Sequence, residues 1–157
     1  MLTRSRSTRA RAPGSKSRVR PRFFTVEQAN AHVPRLGLLL ERVQRTALVL
    51  RAERESLAAA LGVDPSAVSV ERLLAARPAL RRTVEALDAA IEEIQAIGVE
   101  LKDVELGLVD FPAEREGELV YLCWQFGEDR VRFWHRRSEG FAGRRPLPGL
   151  PPPPEPQ

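Results

Sequence analysis

Leu119-Val-Tyr121-Leu-Cys123-Trp124-Gln-Phe126-Gly127-Glu128-Asp129-Arg-Val131-Arg132-Phe133-Trp134-His135 decides the fold. Aromatic and β-branched residues fill both arms, and Gly127-Glu128-Asp129 turns one into the other. That pattern predicts an antiparallel pair of strands over 119–126 and 130–135. Alternation places Arg132, Trp134 and Arg136 on one face and Val131, Phe133 and His135 on the other. A tight turn brings His135 beside Tyr121 or Leu122, with Cys123 a neighbour. Upstream, Val99-Glu-Leu101 and Leu108-Val-Asp110-Phe111 read as two more short strands, the second ended by Pro112.

Before Gly98 the period is helical. Thr25-Val-Glu-Gln28 has the form of a capping box. Pro34 interrupts the helical pattern, which predicts a short turn of helix over 26–32 and a main helix restarting near Pro34. Leu36, Leu40, Val43, Ala47, Leu50, Leu57 and Leu61 then form a heptad seam of coiled-coil type, broken only at Arg54. Gly62, Asp64 and Pro65 mark a turn, and Ser69 caps a return helix whose seam is Leu73, Leu80, Val84, Leu87, Ile91 and Ile94. Pro78 kinks or restarts that helix, and Gly98 is placed to end it in a left-handed conformation. Two helices of about 25 residues make an antiparallel hairpin roughly 40 Å long. Leu39, Leu48 and Val49 lie off the seam. They require cover from the C-terminal half or from a second copy, so burial within the monomer and homodimerisation through the hairpin stand as equal expectations. The expected fold is α+β: a long helical hairpin over 23–98, then a small antiparallel β-meander over 99–145.

Charge separates the ends from this domain. Residues 1–22 hold eight arginines and lysines and no acid. Removing those eight from the 25 basic residues leaves 17 against 21 acidic ones, so the net charge of +4 belongs to the tail. A tail this poor in apolar residues is expected to be disordered and to touch nucleic acid only non-specifically. Arginine outnumbers lysine 23 to 2, a bias of composition rather than a phosphate-binding device. Residues 146–157 are proline-rich, with Pro151 to Pro154 consecutive, and are expected to form an extended disordered tail. No apolar run suggests a secretory signal or a membrane span. A single cysteine makes no internal disulfide and suits the reducing cytoplasm.

Chemistry concentrates between Gly107 and Arg144, which hold both tryptophans, the one tyrosine, the one cysteine and one of two histidines. Asp110, Cys123 and His135 are the catalytic candidates. An Asp–His–Cys cluster suits an activated thiolate or a metal of soft-to-borderline character, with Asp110 and His135 as the weak metal candidates. No HxxxH, CxxC or HExxH spacing accompanies them, so no metal or cofactor is assigned. Asp110 between Val109 and Phe111 must be paired or hydrogen-bonded, by Lys102, Arg115 or Arg144, or else serve a ligand or a proton transfer. Gly140-Phe-Ala-Gly143-Arg144 is a glycine-flanked loop whose N–H groups and guanidinium suit an anion. Glu128, Trp124, Trp134 and Arg144 are the ligand-binding candidates, the indoles by stacking; core packing is the plainer reading of both. His32 stands alone on its helix and reads as structural.

The chain resembles a bacterial and archaeal family catalogued as domain of unknown function 2203. The resemblance covers roughly 23–147. It rests on Phe24-Thr25-Val-Glu27-Gln-Ala29-Asn30, Val99-Glu-Leu101-Lys102-Asp103, Gly107-Leu-Val-Asp110-Phe111-Pro112, Tyr121-Leu-Cys123-Trp124, Gly127-Glu128, Trp134-His135 and Gly140-Phe-Ala-Gly143-Arg144. It implies a small soluble domain with a helical hairpin and brings no assigned activity or catalytic residue. Family members often carry an acid shortly after the His135 position. Here Arg136-Arg137-Ser138 precedes Glu139, which weakens any metal site needing a carboxylate directly beside His135. The expected function is a small cytoplasmic binding or interaction protein with a polar pocket in its C-terminal half. The alternative is a metal-dependent or acid/base enzyme using Asp110 and His135, which convergence of those two side chains would favour.

Overall fold

Thr25 closes the expected capping box: its hydroxyl oxygen accepts from the Gln28 N–H, and the Gln28 side chain accepts from the Thr25 N–H. From this cap α1 (Val26–Leu61) runs 36 residues without interruption. The computed structural model, which describes residues 22–150, thereby corrects the restart expected at Pro34. Proline removes one hydrogen bond to the carbonyl four residues back, here that of Asn30. Pro34 lies on the exposed side, while Ala29, Val33, Leu36, Leu40 and Val43 bury a continuous face above and below it and hold the helix through the gap.

The return arm does break at proline. Ser69 caps α2 (Val70–Ala76) by accepting from the Arg72 N–H at 3.1 Å. A 3-10 turn over Pro78–Leu80 then leads into α3 (Arg81–Ala96), and Gly98 follows with φ of +98°. One long helix against two short ones replaces the expected equal pair. Arg35–Glu93 at 2.7 Å and Arg77–Glu53 at 3.1 Å lock the two arms antiparallel.

Beyond Gly98 five strands pair in sequence order, all antiparallel: β1 (Glu100–Asp103), β2 (Leu108–Arg115), β3 (Glu118–Gln125), β4 (Phe133–Arg136) and β5 (Arg145–Pro146). The fold is α+β, a helical hairpin followed by a β-meander. β2 continues through Pro112 rather than ending there. The Pro112 carbonyl accepts from the Phe24 N–H at 2.8 Å, so its peptide edge faces away from β3 and the missing N–H costs the β2–β3 ladder nothing. β4 begins later than the sequence suggests. Val131 leaves the strand and enters the core, its N–H donating to Asn30 Oδ1 at 2.7 Å. It therefore does not share a face with His135, because the seven-residue connection over 126–132 escapes the two-residue period. The C-terminal boundary expected at 145 also falls short. Pro146 pairs opposite Phe133, and Leu147 is buried with its N–H on the Arg132 carbonyl at 2.8 Å. The rest of the two expected tails, 1–21 and 151–157, lies outside the described residues.

The main core fills the space between the hairpin and one face of the sheet. Leu36, Leu40, Val43, Ala90 and Ile94 meet Val109, Phe111, Ala113, Val120, Leu122 and Trp124 there. Leu39, off the heptad seam, is buried in the same core, whereas Leu48 and Val49 stay exposed. A smaller cluster of Leu57, Ala58, Val68 and Leu73 closes the far end of the hairpin. Among the described residues no helix is long and apolar enough to cross a membrane.

Candidate functional site

With the odd-numbered residues of β2 and the even-numbered ones of β3 and β4 turned to the helices, Asp110, Tyr121, Cys123, Phe133 and His135 share the opposite face of the sheet. Asp110 is the direct register partner of Cys123, and His135 that of Tyr121. The two side chains from the flanking strands reach across β3 and meet: His135 Nε2 lies 3.0 Å from Asp110 Oδ2. One donor atom each from Asp110, Cys123 and His135 falls within 4.8 Å of the others. All three residues are no more than 3% exposed. The second face of a two-layer sheet is ordinarily wet, so acid, thiol and imidazole buried there form a built site.

The imidazole is fixed by its neighbours. Nδ1 lies 2.8 Å from the Arg136 carbonyl oxygen, which can only accept, so Nδ1 carries a hydrogen and donates it. Nε2 then faces a carboxylate oxygen, and a positive species, a proton or a cation, must sit between them. Burial, reinforced by the Asp110 carboxylate, pushes the Cys123 thiol up to about 12. At neutral pH it is a protonated thiol and no nucleophile. Beside the three residues a cavity of about 230 Å³ opens, walled by Lys102, Leu108, Tyr121, Arg137 and Phe141 among others. Lys102 is the extra residue of a bulge between β1 and β2 and pairs with Glu100 at 2.6 Å. The Tyr121 hydroxyl donates to Glu100 Oε1 at 3.3 Å, and burial, then the Glu100 carboxylate, holds its phenol above the usual value.

Residues 22–147 match the model of a family described as uncharacterized conserved protein, DUF2203. The chain belongs to that family. No curated protein and no solved structure matches it.

The remaining candidates of this DUF2203 chain, Glu128, Trp124, Trp134 and Arg144, are held in packing and do not line the cavity. Arg144 does not reach Asp110. Its Nη2 donates to both Glu128 carboxylate oxygens at 2.7 and 2.8 Å, and its guanidinium lies between the Phe133 and Phe141 rings, 4.1 and 4.8 Å from their centroids. Glu128 also accepts from the Gln125 N–H, and its backbone carbonyl accepts from Trp124 Nε1 at 3.0 Å. Trp124 is buried in the main core; Trp134, on the same face, lies under the guanidinium groups of Arg115 and Arg145. Glu139 lines the cavity but is engaged by Arg145 at 2.9 Å and by the Arg136 N–H. His32 packs its ring edgewise on Phe24. Sequence reasoning passed over Arg137 and gave Tyr121 no role. No spacing signals Arg137, and only its rarity marks Tyr121.

Proposed function

We propose that Asp110, Cys123 and His135 form a metal centre for one divalent ion of borderline softness, zinc foremost, serving metal-dependent chemistry in the adjoining cavity. The observation that carries this reading is the convergence of three different donors within 4.8 Å on three neighbouring strands. Nitrogen, oxygen and sulfur held around 2.0–2.3 Å from a tetrahedral ion lie about 3.3–3.7 Å apart, so small side-chain movements complete the set. The Nδ1–H bond to the Arg136 carbonyl supports it, since ligating histidines ordinarily donate their other nitrogen to a carbonyl or carboxylate. The thiol supports it too: a divalent ion would take the place of the proton that burial otherwise keeps on sulfur. Three protein ligands leave a fourth position open, the arrangement of catalytic rather than structural zinc. A lone thiol ligand needs a reducing compartment, which favours the cytoplasm.

A second reading rests on the 3.0 Å pair itself: with a proton between His135 and Asp110, the dyad would serve as a general acid and base. Elemental analysis of untagged full-length protein separates the two. The metal reading expects one zinc-class ion per chain, lost in His135→Ala. No metal as purified, and none taken up on dialysis against zinc or cobalt, would overturn it. The exposed apolar side chains of α1, Leu38, Leu48 and Val49, support the separate proposal that two copies pair through the hairpin.

A further inference from the structure

The cavity beside the three donors has an unbalanced charge. Lys102 is neutralised by Glu100, and Glu139 by Arg145. Arg137 lines the same cavity, yet among the described residues its side chain makes no ion pair or hydrogen bond. Arg137 is exposed, so solvent takes the place of a protein partner. It follows β4 directly, and its neighbours' partners, Asp110 for His135 and Glu139 for the Arg136 N–H, are already taken. A divalent ion bound by one carboxylate, one thiolate and one neutral imidazole carries no net charge, so the loaded centre would leave the guanidinium of Arg137 uncompensated.

We infer that the open coordination position and Arg137 together take a small oxyanion, a carboxylate or a phosphoryl group, whose apolar body lies against Leu108 and Phe141. This rests on the metal reading and adds to it the class of ligand. A planar guanidinium matches such a group through paired N–H bonds. The size of the cavity sets the scale of the ligand: about 230 Å³ lies below the range that holds drug-sized molecules. Leu108 and Phe141 supply the hydrophobic wall, and Phe141 is tied in place through its contact with the Arg144 guanidinium.

The test uses full-length protein loaded with cobalt(II), whose thiolate-to-metal band reports Cys123 and whose d–d bands report the open position. Sodium acetate and inorganic phosphate are titrated separately at constant ionic strength. The expected result is a saturable change in the d–d bands. Arg137→Gln should weaken it by on the order of tenfold or more, with cobalt stoichiometry and the thiolate band unchanged. Tighter acetate assigns a carboxylate ligand, tighter phosphate a phosphoryl one. No thiolate band in the wild type removes the metal reading and this inference with it. A normal thiolate band with d–d bands that neither anion moves, or equal midpoints in wild type and Arg137→Gln, overturns this inference alone.

Discussion

Asp110, Cys123 and His135 depend on one another for their position, and the Asp110 carboxylate adds to burial in keeping the proton on the Cys123 thiol. Removing the carboxylate in Asp110→Ala would leave Nε2 buried without its partner, and stranding a buried polar group costs about 1–3 kcal/mol. Urea denaturation should register that loss, whereas Cys123→Ser, which keeps size and a hydroxyl donor, should retain the fold and lose the metal. The thiol yields a pH prediction. With its value raised to about 12, it stays protonated throughout the range in which an ordinary cysteine ionises near 8.5. Metal-free native protein should therefore react with a thiol-specific disulfide reagent slowly, with a rate that still climbs about tenfold per pH unit up to pH 9 and shows no plateau. In denaturant the rate should be far higher and should level off above about pH 8.5; a native rate that levels off in the same way would contradict the buried thiol. At this scale the sequence was partly readable. The sequence placed His135 beside Tyr121 or Leu122 and near Cys123; the register across the long β3–β4 connection chose Tyr121. The sequence did not show that Asp110 would find His135 rather than Lys102, Arg115 or Arg144, since that choice depends on how β2 aligns with β3.

The elements show where local rules give way to packing. Pro34 would end an isolated helix, but α1 has buried side chains on both sides of it. Pro112 would end a central strand, yet at its position the peptide edge faces the Phe24 N–H instead of β3. Caps and special conformations followed the sequence more closely, because they involve only neighbours. Thr25→Ala should cost about 1 kcal/mol by losing the helix cap. Gly107→Ala should cost more, roughly 2–4 kcal/mol. Gly107 has φ of +67°, and a Cβ there would stand 2.5 Å from the Cβ of Phe126. Thermal melts of the two variants check the order; equal melting temperatures would mean that the β1–β2 connection yields more than its contacts suggest.

At the scale of the molecule, the sheet uses its two faces differently. One takes the helical hairpin and forms the main core; the other buries the polar cluster and opens into the cavity. Packing against the sheet accounts for Leu39, one of the three residues that motivated self-association from sequence. Leu48 is 62% exposed among the described residues. If two hairpins pair through this flank, sedimentation equilibrium should give twice the 17.6 kDa of one chain, and Leu48→Glu should return it to the single mass. A mass of 17.6 kDa at every concentration would sink the pairing.

The sequence by itself determined the helical hairpin, the switch to period two after Gly98, the segments that form β1 to β4 and the stretch that holds the polar cluster. Each of these rests on spacing within a few residues, where backbone geometry and turn chemistry are local. Only the tertiary structure decided that Asp110 and His135 meet across β3, that Arg144 braces Glu128 instead of Asp110, and that Arg137 lines the cavity without a carboxylate partner among the described residues. Those outcomes depend on strand register and on the burial of one sheet face, which three strands and the turn over Phe141–Gly143 set together and no single segment encodes.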